Sequence, residues 1–549
     1  MSKLASQDFE IPMPQERKFR YRFFEALPGI LSWTVLTSPF WLGFLNVSLA
    51  ALLMLLYLML WFVRAAALNV RGIQSFRRLD QHKKLPWREL HAEVIAAQKG
   101  DTIQRRVPKW HLSNISRILE DPNGIDPEKI VHVIIIATYN ETREVIEPTL
   151  QAVLDNDVDM SRVAVFLAYE ERGGAEVEAQ AIKLMSDYKG KFMHSEAVKH
   201  PGHMPNEVRG KGGNITFAGF RAAEWVKSKG LEPKQVLVTT LDADNRPDKQ
   251  YLPCLDYIYS VCYAPKNLSF QPIPMFTNNI WDAPAPMRVI ATGNSYWMMV
   301  QALRHHMLRN FSAHSQPLDA LIETDFWSVR TIVEDGHQFW RSYFAFDGKH
   351  EVIPIFLPIY QDAVLASGYV KTLKQQFIQI RRWAWGASDV AYVAENAFFK
   401  PNSIPLWDRL AKFFRLLEGH VSWSSSPLIL AFGAFIPFLF HNTDYLANQL
   451  PQLASRIQTL AMLGIFVTLY LSFKILPPKP ARYKRRRSLA MLLQWVLLPL
   501  TTIGYSASAA IYSQTRLIFG KYIGGFDVTE KAVVTDKGMA TSLKDGKQS

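Results

Sequence analysis

The hydrophobic pattern divides the chain into long uncharged stretches near its two ends and short apolar runs between them. No charged residue occurs between Glu25 and Arg64. One membrane-spanning helix needs about 20 apolar residues, so this stretch is long enough for two. We predict a transmembrane hairpin over residues 26–63 that turns near Asn46. Both flanks are basic, which favours a cytosolic location for both ends of the hairpin.

Three further uncharged stretches follow in the C-terminal part of the chain, and residues 419–515 are predicted to be transmembrane helices. The third stretch leaves two alternatives, a single crossing or a tight hairpin that bends near Pro499. Basic residues in the tail, 516–549, favour a cytosolic end and therefore the hairpin. The three uncharged stretches are 419–443, 457–473 and 488–515.

The segment ahead of the first of these stretches has the spacing of an amphipathic helix. Between Pro405 and Glu418, apolar residues recur at helical intervals and charged residues fall largely on the other side. Such a helix lies in the membrane interface or packs on a soluble domain. We assign residues 371–418 to interface helices.

Residues 126–370 show the pattern of an α/β domain. Short β-branched runs at 130–137, 163–169 and 236–241 are separated by helix-length segments. Continuous apolar runs of this kind are typical of parallel strands that are covered on both faces. Residues 1–25 are predicted to be a cytosolic N-terminal segment and residues 64–125 to be cytosolic linker helices.

Polar side chains cluster where these three predicted strands end. Ligands of parallel sheets bind outside the carboxyl ends of the strands. Carboxylates that crowd this edge repel one another unless a cation lies among them, so we expect Mg²⁺ or Mn²⁺ at the Asp-Ala-Asp segment. The same spacing also fits a solvated turn. The residues at the three strand ends are Thr138, Asn140 and Glu141, then Glu170 and Glu171, then Asp242 and Asp244.

Two other segments of the predicted domain carry candidate chemistry. Lys211 lies in the glycine-rich sequence RGKGGN ahead of a helical segment, which suits a phosphate group or an ordinary turn. Glu334 and Asp335 precede another helical segment, where a carboxylate is able to act as a general base or simply to cap the helix.

The sequence QIRRW adds an aromatic and a cationic side chain to this set. It runs from Gln379 to Trp383 in a segment of helical pattern. The indole of Trp383 offers a flat surface to a sugar, and Arg382 offers a fixed cation to a leaving diphosphate. The tryptophans of this segment equally fit membrane-interface anchors.

Charge and cysteine content narrow the class of protein. The net charge is +13, but much of it flanks the apolar stretches, which favours a membrane protein over a nucleic-acid-binding protein. Cys254 and Cys262 have neither disulfide nor zinc-site spacing and are expected to be buried thiols. The N-terminal residues lack the order of a cleaved secretion signal.

Taken in order, these motifs resemble the family-2 glycosyltransferases, and within them the membrane-integrated branch that includes cellulose and hyaluronan synthases. The resemblance rests on ATYNE, on LDAD, on the Glu-Asp pair and on QIRRW, which fits the family pattern QxxRW. It implies an A-type, Rossmann-like α/β glycosyltransferase domain in the cytosol. It also implies an α-helical transmembrane domain and interfacial amphipathic helices.

The resemblance assigns roles to the candidate residues. Asp242 and Asp244 would hold the metal and the nucleotide diphosphate, and Asp335 would be the catalytic base, with Glu334 beside it. The other positions fall into three groups: Thr138, Asn140, Glu141, Glu171 and Lys211 at the donor; Gln379, Arg382 and Trp383 at the acceptor and pyrophosphate; and Phe526, Val528, Thr529 and Lys531, which fit the FxVTxK gating loop of bacterial cellulose synthases.

Two departures from that branch bear on function. An acidic Asp-Asp-Gly follows the second strand of cellulose synthases, whereas this chain has Glu170 to Gly173 there, and it has fewer predicted spans. We expect an inverting enzyme of a bacterial inner membrane that moves a sugar from a UDP-sugar to a growing polysaccharide. The alternative acceptor is a lipid carrier such as polyprenyl phosphate. Membrane lipids are the expected surroundings, homo-oligomers are possible partners, and nucleic acid is not expected to bind.

Overall fold

The computed structural model describes residues 9–101, 107–525, 532–535 and 538–540. Its centre is an eight-stranded mixed sheet, and a separate two-stranded sheet is formed by β9 and β10. The strands are β1 Val131–Ala137, β2 Val163–Glu170, β3 His194–His200, β4 Val236–Asp242, β5 Arg246–Pro247, β6 Leu268–Phe276, β7 Ser315–Pro317, β8 Glu351–Gln361, β9 Val533–Thr535 and β10 Gly538–Ala540.

The strand order of the central sheet is β3-β2-β1-β4-β7-β6-β8-β5. Strands β3, β2, β1 and β4 are parallel, and β6 is parallel to β8. The short strand β7 is antiparallel to both β4 and β6, so these two groups point the same way. The carboxyl ends of β1, β2, β4, β6 and β8 therefore lie along one edge of the sheet.

Helices cover both faces of β1, β2 and β4, which explains why these strands are largely apolar, whereas the edge strand β3 is polar and only partly buried. The helices of the chain are α1 Phe19–Leu45, α2 Val47–His82, α3 Trp87–Gln98, α4 Lys109–Glu120, α5 Arg143–Leu154, α6 Gly174–Asp187, α7 Lys211–Ser228, α8 Tyr251–Val261, α9 Ala285–Ala302, α10 Leu318–Glu323, α11 Glu334–Ala345, α12 Tyr369–Ala384, α13 Asp389–Ala394, α14 Leu406–Phe432, α15 Ile436–Phe440, α16 Tyr445–Met462, α17 Ile465–Ile475, α18 Arg485–Leu493, α19 Leu498–Thr501 and α20 Ser508–Ile518.

One face of β1 points to a cluster with α5, α6 and α8, and the other face to a cluster with α7 and α10. Ile134 and Ile136 belong to the first cluster, Val133 and Ile135 to the second, and all four are almost completely buried. The prediction of an α/β domain combined with long apolar helices is confirmed.

Within the part of the chain that the structure describes, four helical segments are long and apolar enough to cross a membrane by length and composition: Val47–His82, Leu406–Phe440, Tyr445–Ile475 and Arg485–Ile518. Helix α1 ends at Leu45 and α2 begins at Val47, with the Asn46 side chain accepting a hydrogen bond from the Leu49 backbone at 2.9 Å. The chain therefore changes direction at Asn46, although α1 is not one of the four segments.

The predicted interface helix and the apolar stretch behind it form one helix. Helix α14 begins at Leu406 and continues through residue 418, the last residue of the predicted interface region, to Phe432. Its charged first half meets the N-terminal end of α1, where the rings of Phe24 and Phe413 are 6.0 Å apart. The helix continues through Gly419 at the predicted boundary, so the hydrophobicity of the sequence changes there while the helical backbone does not end.

The predicted hairpin near Pro499 is wrong. Helical backbone continues from Arg485 to Ile518, with a π-helical turn over Thr502–Ala507. A 3₁₀ turn over Gln494–Leu497 lies just ahead of Pro499, so the chain remains helical through the proline although the α-helical hydrogen-bond pattern is interrupted there.

Both ends of this helix contact the α/β domain. Arg487 Nε donates to the Trp281 backbone oxygen at 3.1 Å, and Leu517 packs in a cluster with Ile332 and Trp385. Further on, the Tyr522 hydroxyl donates to Glu25, at the start of α1, at 2.9 Å. The first residues of the C-terminal tail therefore lie beside the N-terminal segment, although the preceding helix contains no hairpin.

Helices α1 and α20 pack without space for a side chain at Gly29. A Cβ atom there would lie 2.6 Å from the Gln514 backbone oxygen. We expect Gly29→Ala to lower the melting temperature of the detergent-solubilised protein, because the backbone of α20 has to shift, at a cost of roughly 1–3 kcal/mol. Gly419→Ala in α14 is the matched control, since no atom lies within 4 Å of its Cβ position. Equal melting temperatures for the two variants would contradict this packing.

Candidate active site

The ammonium group of Lys211 lies among three carboxylates at the carboxyl edge of the sheet. Its Nζ is 2.9 Å from Asp242 Oδ1, 3.3 Å from Asp335 Oδ2 and 3.8 Å from Glu334 Oε1. Asp242 is the last residue of β4, and the acidic pair begins α11. The acidic residue at the end of β4 and the acidic pair at the start of α11, which were predicted separately, thus lie around one cation. We call Lys211, Asp242, Glu334 and Asp335 the charge cluster.

Tight backbone packing places Lys211 in this position. Lys211 is the first residue of α7, and a Cβ atom on the next residue, Gly212, would lie 2.3 Å from the Ser328 backbone oxygen and 3.2 Å from Glu334 Cβ. Only a glycine allows the start of α7 to approach the segment ahead of α11 so closely. The glycine-rich sequence therefore serves to bring the lysine to the carboxylates.

Electrostatic attraction keeps Lys211 charged although it is buried. Burial alone would lower the pKa of the Lys211 ammonium, but Asp242, Asp335 and Glu334 raise this pKa above its ordinary value. Burial raises the pKa of Glu334 to about 8, and Asp335 contributes in the same direction, whereas Lys211 lowers it. Lys211 therefore supplies the positive charge that offsets the carboxylates of the charge cluster.

The two carboxylates of α11 differ in access to solvent. The Glu334 side chain is 3% exposed and the Asp335 side chain is 20% exposed. Both occupy the first turn of the helix, where the dipole stabilises negative charge. Asp335 is therefore the carboxylate of this pair that a ligand could reach.

Asp242 and Asp244 have partners that the sequence did not reveal. The Ser312 hydroxyl donates to Asp242 Oδ2 at 2.6 Å. Asp244 Oδ2 accepts from the Asp362 backbone N–H at 3.0 Å, and the Asn278 side chain donates to the Asp244 carbonyl at 3.0 Å. Asp362 directly follows β8, so the signal that identified the other strand ends was also present at this one.

His314 was also not predicted, and it lies behind Asp335. Its Nδ1 donates to the Phe311 carbonyl at 2.9 Å, and its Nε2 accepts from Trp327 Nε1 at 3.1 Å. Burial lowers the pKa of His314, so it is neutral near pH 7. Its Nδ1 is 3.8 Å from Asp335 Oδ1. His314 therefore places a neutral, fixed ring behind this carboxylate.

Four predicted donor residues lie near the same edge with other contacts. Thr138 and Asn140 directly follow β1, and the Thr138 hydroxyl donates to the Ala168 carbonyl at 3.4 Å. Glu141 accepts from the Tyr139 backbone N–H at 2.8 Å, and Glu171 accepts from the Gly202 backbone N–H at 2.8 Å. These contacts order the loops after β1 and β2.

The QIRRW sequence lies in α12, beside the charge cluster. Arg382 is close enough to Glu334 to lower the pKa of that carboxyl. The ring of Trp383 is 6.0 Å from the ring of Phe276, at the end of β6, and the Gln379 side chain accepts from Gln376 at 3.1 Å. The proposed gating-loop residues, Phe526, Val528, Thr529 and Lys531, lie outside the described residues.

The oxygen donors at this edge fit a divalent cation only together with a ligand. Among the residues that the structure describes, no group of three or more His, Cys, Asp or Glu side chains could hold a metal. Asp242 and Asp244 are hard oxygen donors on one short segment. Mg²⁺ is commonly held by one or two carboxylates plus substrate phosphates, and this pair suits that arrangement.

No protein-family model matches the chain, and no curated protein does. Among solved structures, the mannosyltransferase PcManGT from Pyrobaculum calidifontis, in complex with GDP-Man and Mn²⁺, is 12% identical. The match covers 79% of this chain and 100% of that one, with a TM-score of 0.39. S. aureus TarS 1–349 in complex with UDP-GlcNAc is 10% identical, with 76% and 98% coverage and a TM-score of 0.32.

GalNAc-T7 with UDP, GalNAc and Mn²⁺ is a third match, at 9% identity and a TM-score of 0.29. It covers 53% of this chain and 56% of that one. Likenesses this distant assign neither a family nor an activity to this chain. None of these three matches is a cellulose or hyaluronan synthase.

Removing the cation of the charge cluster should destabilise the protein most at high pH. When folding raises the pKa of a carboxyl, the folded protein becomes less stable as the pH rises from the ordinary pKa of that group, 4.5 for Glu334, through its pKa in the folded state, about 8. Lys211→Met removes the opposing attraction, so we expect its melting-temperature deficit to be larger at pH 8 than at pH 5, measured by thermal unfolding in detergent.

Lys199→Met is the control for this experiment. Lys199 pairs with Glu178 at 2.9 Å, but Lys199 is exposed and Glu178 is only half-buried, and surface ion pairs contribute little. We expect a small deficit that does not change with pH. A Lys211→Met deficit of equal size at both pH values would show that repulsion among the carboxylates is not its cause.

Proposed function

We propose that the chain is an inverting glycosyltransferase that uses a nucleotide-diphosphate sugar, with a UDP-sugar as the first candidate donor. The observation that carries this proposal is the convergence of Asp242, Lys211 and Asp335 at the carboxyl edge of a largely parallel sheet. Such an edge is where ligands of α/β folds bind. The order of motifs along the chain, which resembles family-2 glycosyltransferases, supports the same reading.

The reaction follows from the roles of these side chains. The acceptor hydroxyl oxygen attacks the anomeric carbon, and its proton passes to the Asp335 carboxylate. The bond from the anomeric carbon to the diphosphate breaks, and its electron pair leaves with the diphosphate. One displacement of this kind inverts the configuration at the anomeric carbon. Arg382 and Lys211 supply positive charge near the departing group.

Asp242 and Asp244 are the residues that would hold Mg²⁺ or Mn²⁺, and the cation would neutralise negative charge on the diphosphate. Trp383 would offer its ring to the acceptor sugar, and Gln379 would lie on the same helix. Thr138, Asn140, Glu141 and Glu171 would shape the nucleoside side of the site. We assign Phe526, Val528, Thr529 and Lys531 to a gating loop on the strength of their sequence pattern alone.

The acceptor is proposed to be a growing polysaccharide at a bacterial inner membrane, with the α/β domain in the cytosol. A lipid carrier such as polyprenyl phosphate is the second candidate. The unbroken helix Arg485–Ile518 favours this alternative, because it leaves fewer helices for a polymer channel than a hairpin would.

Asp335→Asn should abolish transfer while preserving the fold and the binding of the donor. The amide has the shape of the carboxylate but accepts no proton, and loss of a general base typically costs on the order of 10²–10⁴ in rate. The measurement is incorporation of label from a panel of radiolabelled nucleotide sugars, with Mn²⁺ or Mg²⁺ present, into membrane extracts.

Two further variants make this result specific. Asp347→Asn, an exposed position beyond the end of α11, should transfer at the wild-type rate. Asp244→Ala should instead weaken the metal-dependent binding of nucleoside diphosphate, measured by calorimetry. Wild-type turnover by Asp335→Asn would remove this residue from the mechanism.

The length of the product should distinguish the two acceptors. A polysaccharide synthase gives a ladder of products on a gel, whereas transfer to a lipid carrier gives one glycolipid that partitions into organic solvent. We expect a ladder from the purified protein with a single labelled donor. A single glycolipid at every donor concentration would replace the polysaccharide by the lipid carrier as the acceptor.

A further inference from the structure

Two arginine side chains, from Arg288 in α9 and Arg487 in α18, meet at one backbone oxygen. Arg288 Nη1 donates to the Ala283 carbonyl at 2.7 Å, and Arg487 Nη2 donates to the same oxygen at 3.1 Å. Arg487 Nε also donates to the Trp281 carbonyl at 3.1 Å. The loop between β6 and α9 therefore holds two cationic groups side by side. We call them the arginine pair.

No carboxylate compensates this pair within the described part of the chain, where neither guanidinium forms an ion pair. Arg288 is 2% exposed, and its Nε donates to the neutral Gln494 side chain at 2.5 Å. The neighbouring Asp282 pairs with Arg482 instead, at 2.7 Å. A buried cation without an anionic partner is costly. An anionic ligand would remove that cost.

The acid–base behaviour of Arg288 agrees with this geometry. Burial is the largest influence and, together with the neighbouring Arg487, it lowers the pKa of Arg288 to about 10, whereas Tyr483 acts in the opposite direction. The side chain thus remains charged near pH 7, in surroundings that disfavour its charge. An anion beside the pair would stabilise the charged form.

An apolar helix surface begins directly beyond the pair. Four side chains of the following segment are large, apolar and at least 41% exposed: Leu489, Leu492, Leu493 and Val496. A basic group followed by an exposed apolar helix face is typical of a segment at a membrane surface, where the charges meet lipid headgroups. This neighbourhood suits a phosphate that carries acyl or prenyl chains better than a free phosphate ion.

The same loop connects the arginine pair to the candidate active site. Asn278 in this loop donates to the Asp244 carbonyl at 3.0 Å. Trp281 and Ala283, whose carbonyls hold the pair, share one apolar cluster with Trp383 of the QIRRW sequence. A group bound at the pair would therefore lie against the loop that supports Asp244.

We propose that Arg487, the partly exposed member of the arginine pair, binds the phosphate group of an anionic membrane lipid, and that the buried Arg288 beside it strengthens this binding through its charge. The Arg487 N–H groups that do not already donate to the Trp281 and Ala283 carbonyls would donate to phosphate oxygens, and charge-assisted bonds of this kind are strong and directional. The proposal concerns binding alone, so it holds or fails independently of the transfer reaction.

The test is the affinity of the detergent-solubilised full chain for fluorescently labelled phosphatidic acid, measured by fluorescence anisotropy without nucleotide sugar. We expect Arg487→Gln to weaken binding by about tenfold or more, as expected for loss of a charge-assisted contact, and Arg288→Gln to weaken it by a smaller factor through loss of the neighbouring charge. Arg486→Gln is the matched control, because it removes the same charge from an exposed neighbour and should leave the affinity unchanged.

Three outcomes would overturn the proposal. Equal affinity for labelled phosphatidylcholine would show that no phosphomonoester is recognised. Displacement by inorganic phosphate at the concentration of the lipid would assign the site to a soluble anion. An equal loss of affinity in Arg486→Gln would show that binding depends only on general surface charge. Arg487 is only partly buried, so Arg487→Gln decides the matter if Arg288→Gln does not fold.

Discussion

The attraction between the buried Lys211 ammonium and the carboxylates around it is the constraint on which the candidate site depends. Asp242 ends β4, Glu334 and Asp335 begin α11, and Lys211 begins α7. Without the lysine, three acidic groups would face one another, and one of them, Glu334, is almost completely buried. The positions of two helix starts and one strand end are therefore fixed by charge as well as by packing. Gly212 makes the approach possible, since any side chain there would collide with the Ser328 backbone.

Three of the eight strands of the central sheet, β1, β2 and β4, could be predicted from local sequence, whereas the interruption of the sheet by β7 could not. The runs that became β1, β2 and β4 are β-branched and apolar throughout, which is what burial on both faces requires. Strand β7 has only three residues and reads Ser-Gln-Pro, so neither its length nor its composition distinguishes it from a loop. Yet β7 joins the two parallel groups and brings Ser312 to Asp242. β7 is a strand because it pairs with segments that are distant in sequence, and the hydrophobic periodicity of a sequence does not show such pairing.

The long apolar helices show a similar limit of prediction from sequence. Charge counting near Pro499 favoured a hairpin, because the basic tail and the basic run at Lys484–Arg487 were both expected on the cytosolic side. Both ends of the helix Arg485–Ile518 do contact the α/β domain, but the backbone does not turn. A count of basic residues carries no information about the path of the backbone between them. At the candidate site, the carboxylates were expected to surround a cation. The cation that the structure places among them is the Lys211 ammonium group, although the sequence assigned Lys211 only to donor binding.

The loop between β6 and α9 links these two parts of the molecule. Its first residues support Asp244, and its last residues hold Arg288 and Arg487 at the start of an exposed apolar helix face. Both ends of this loop are thus held by hydrogen bonds to other elements, so the same short segment supports Asp244 and the arginine pair.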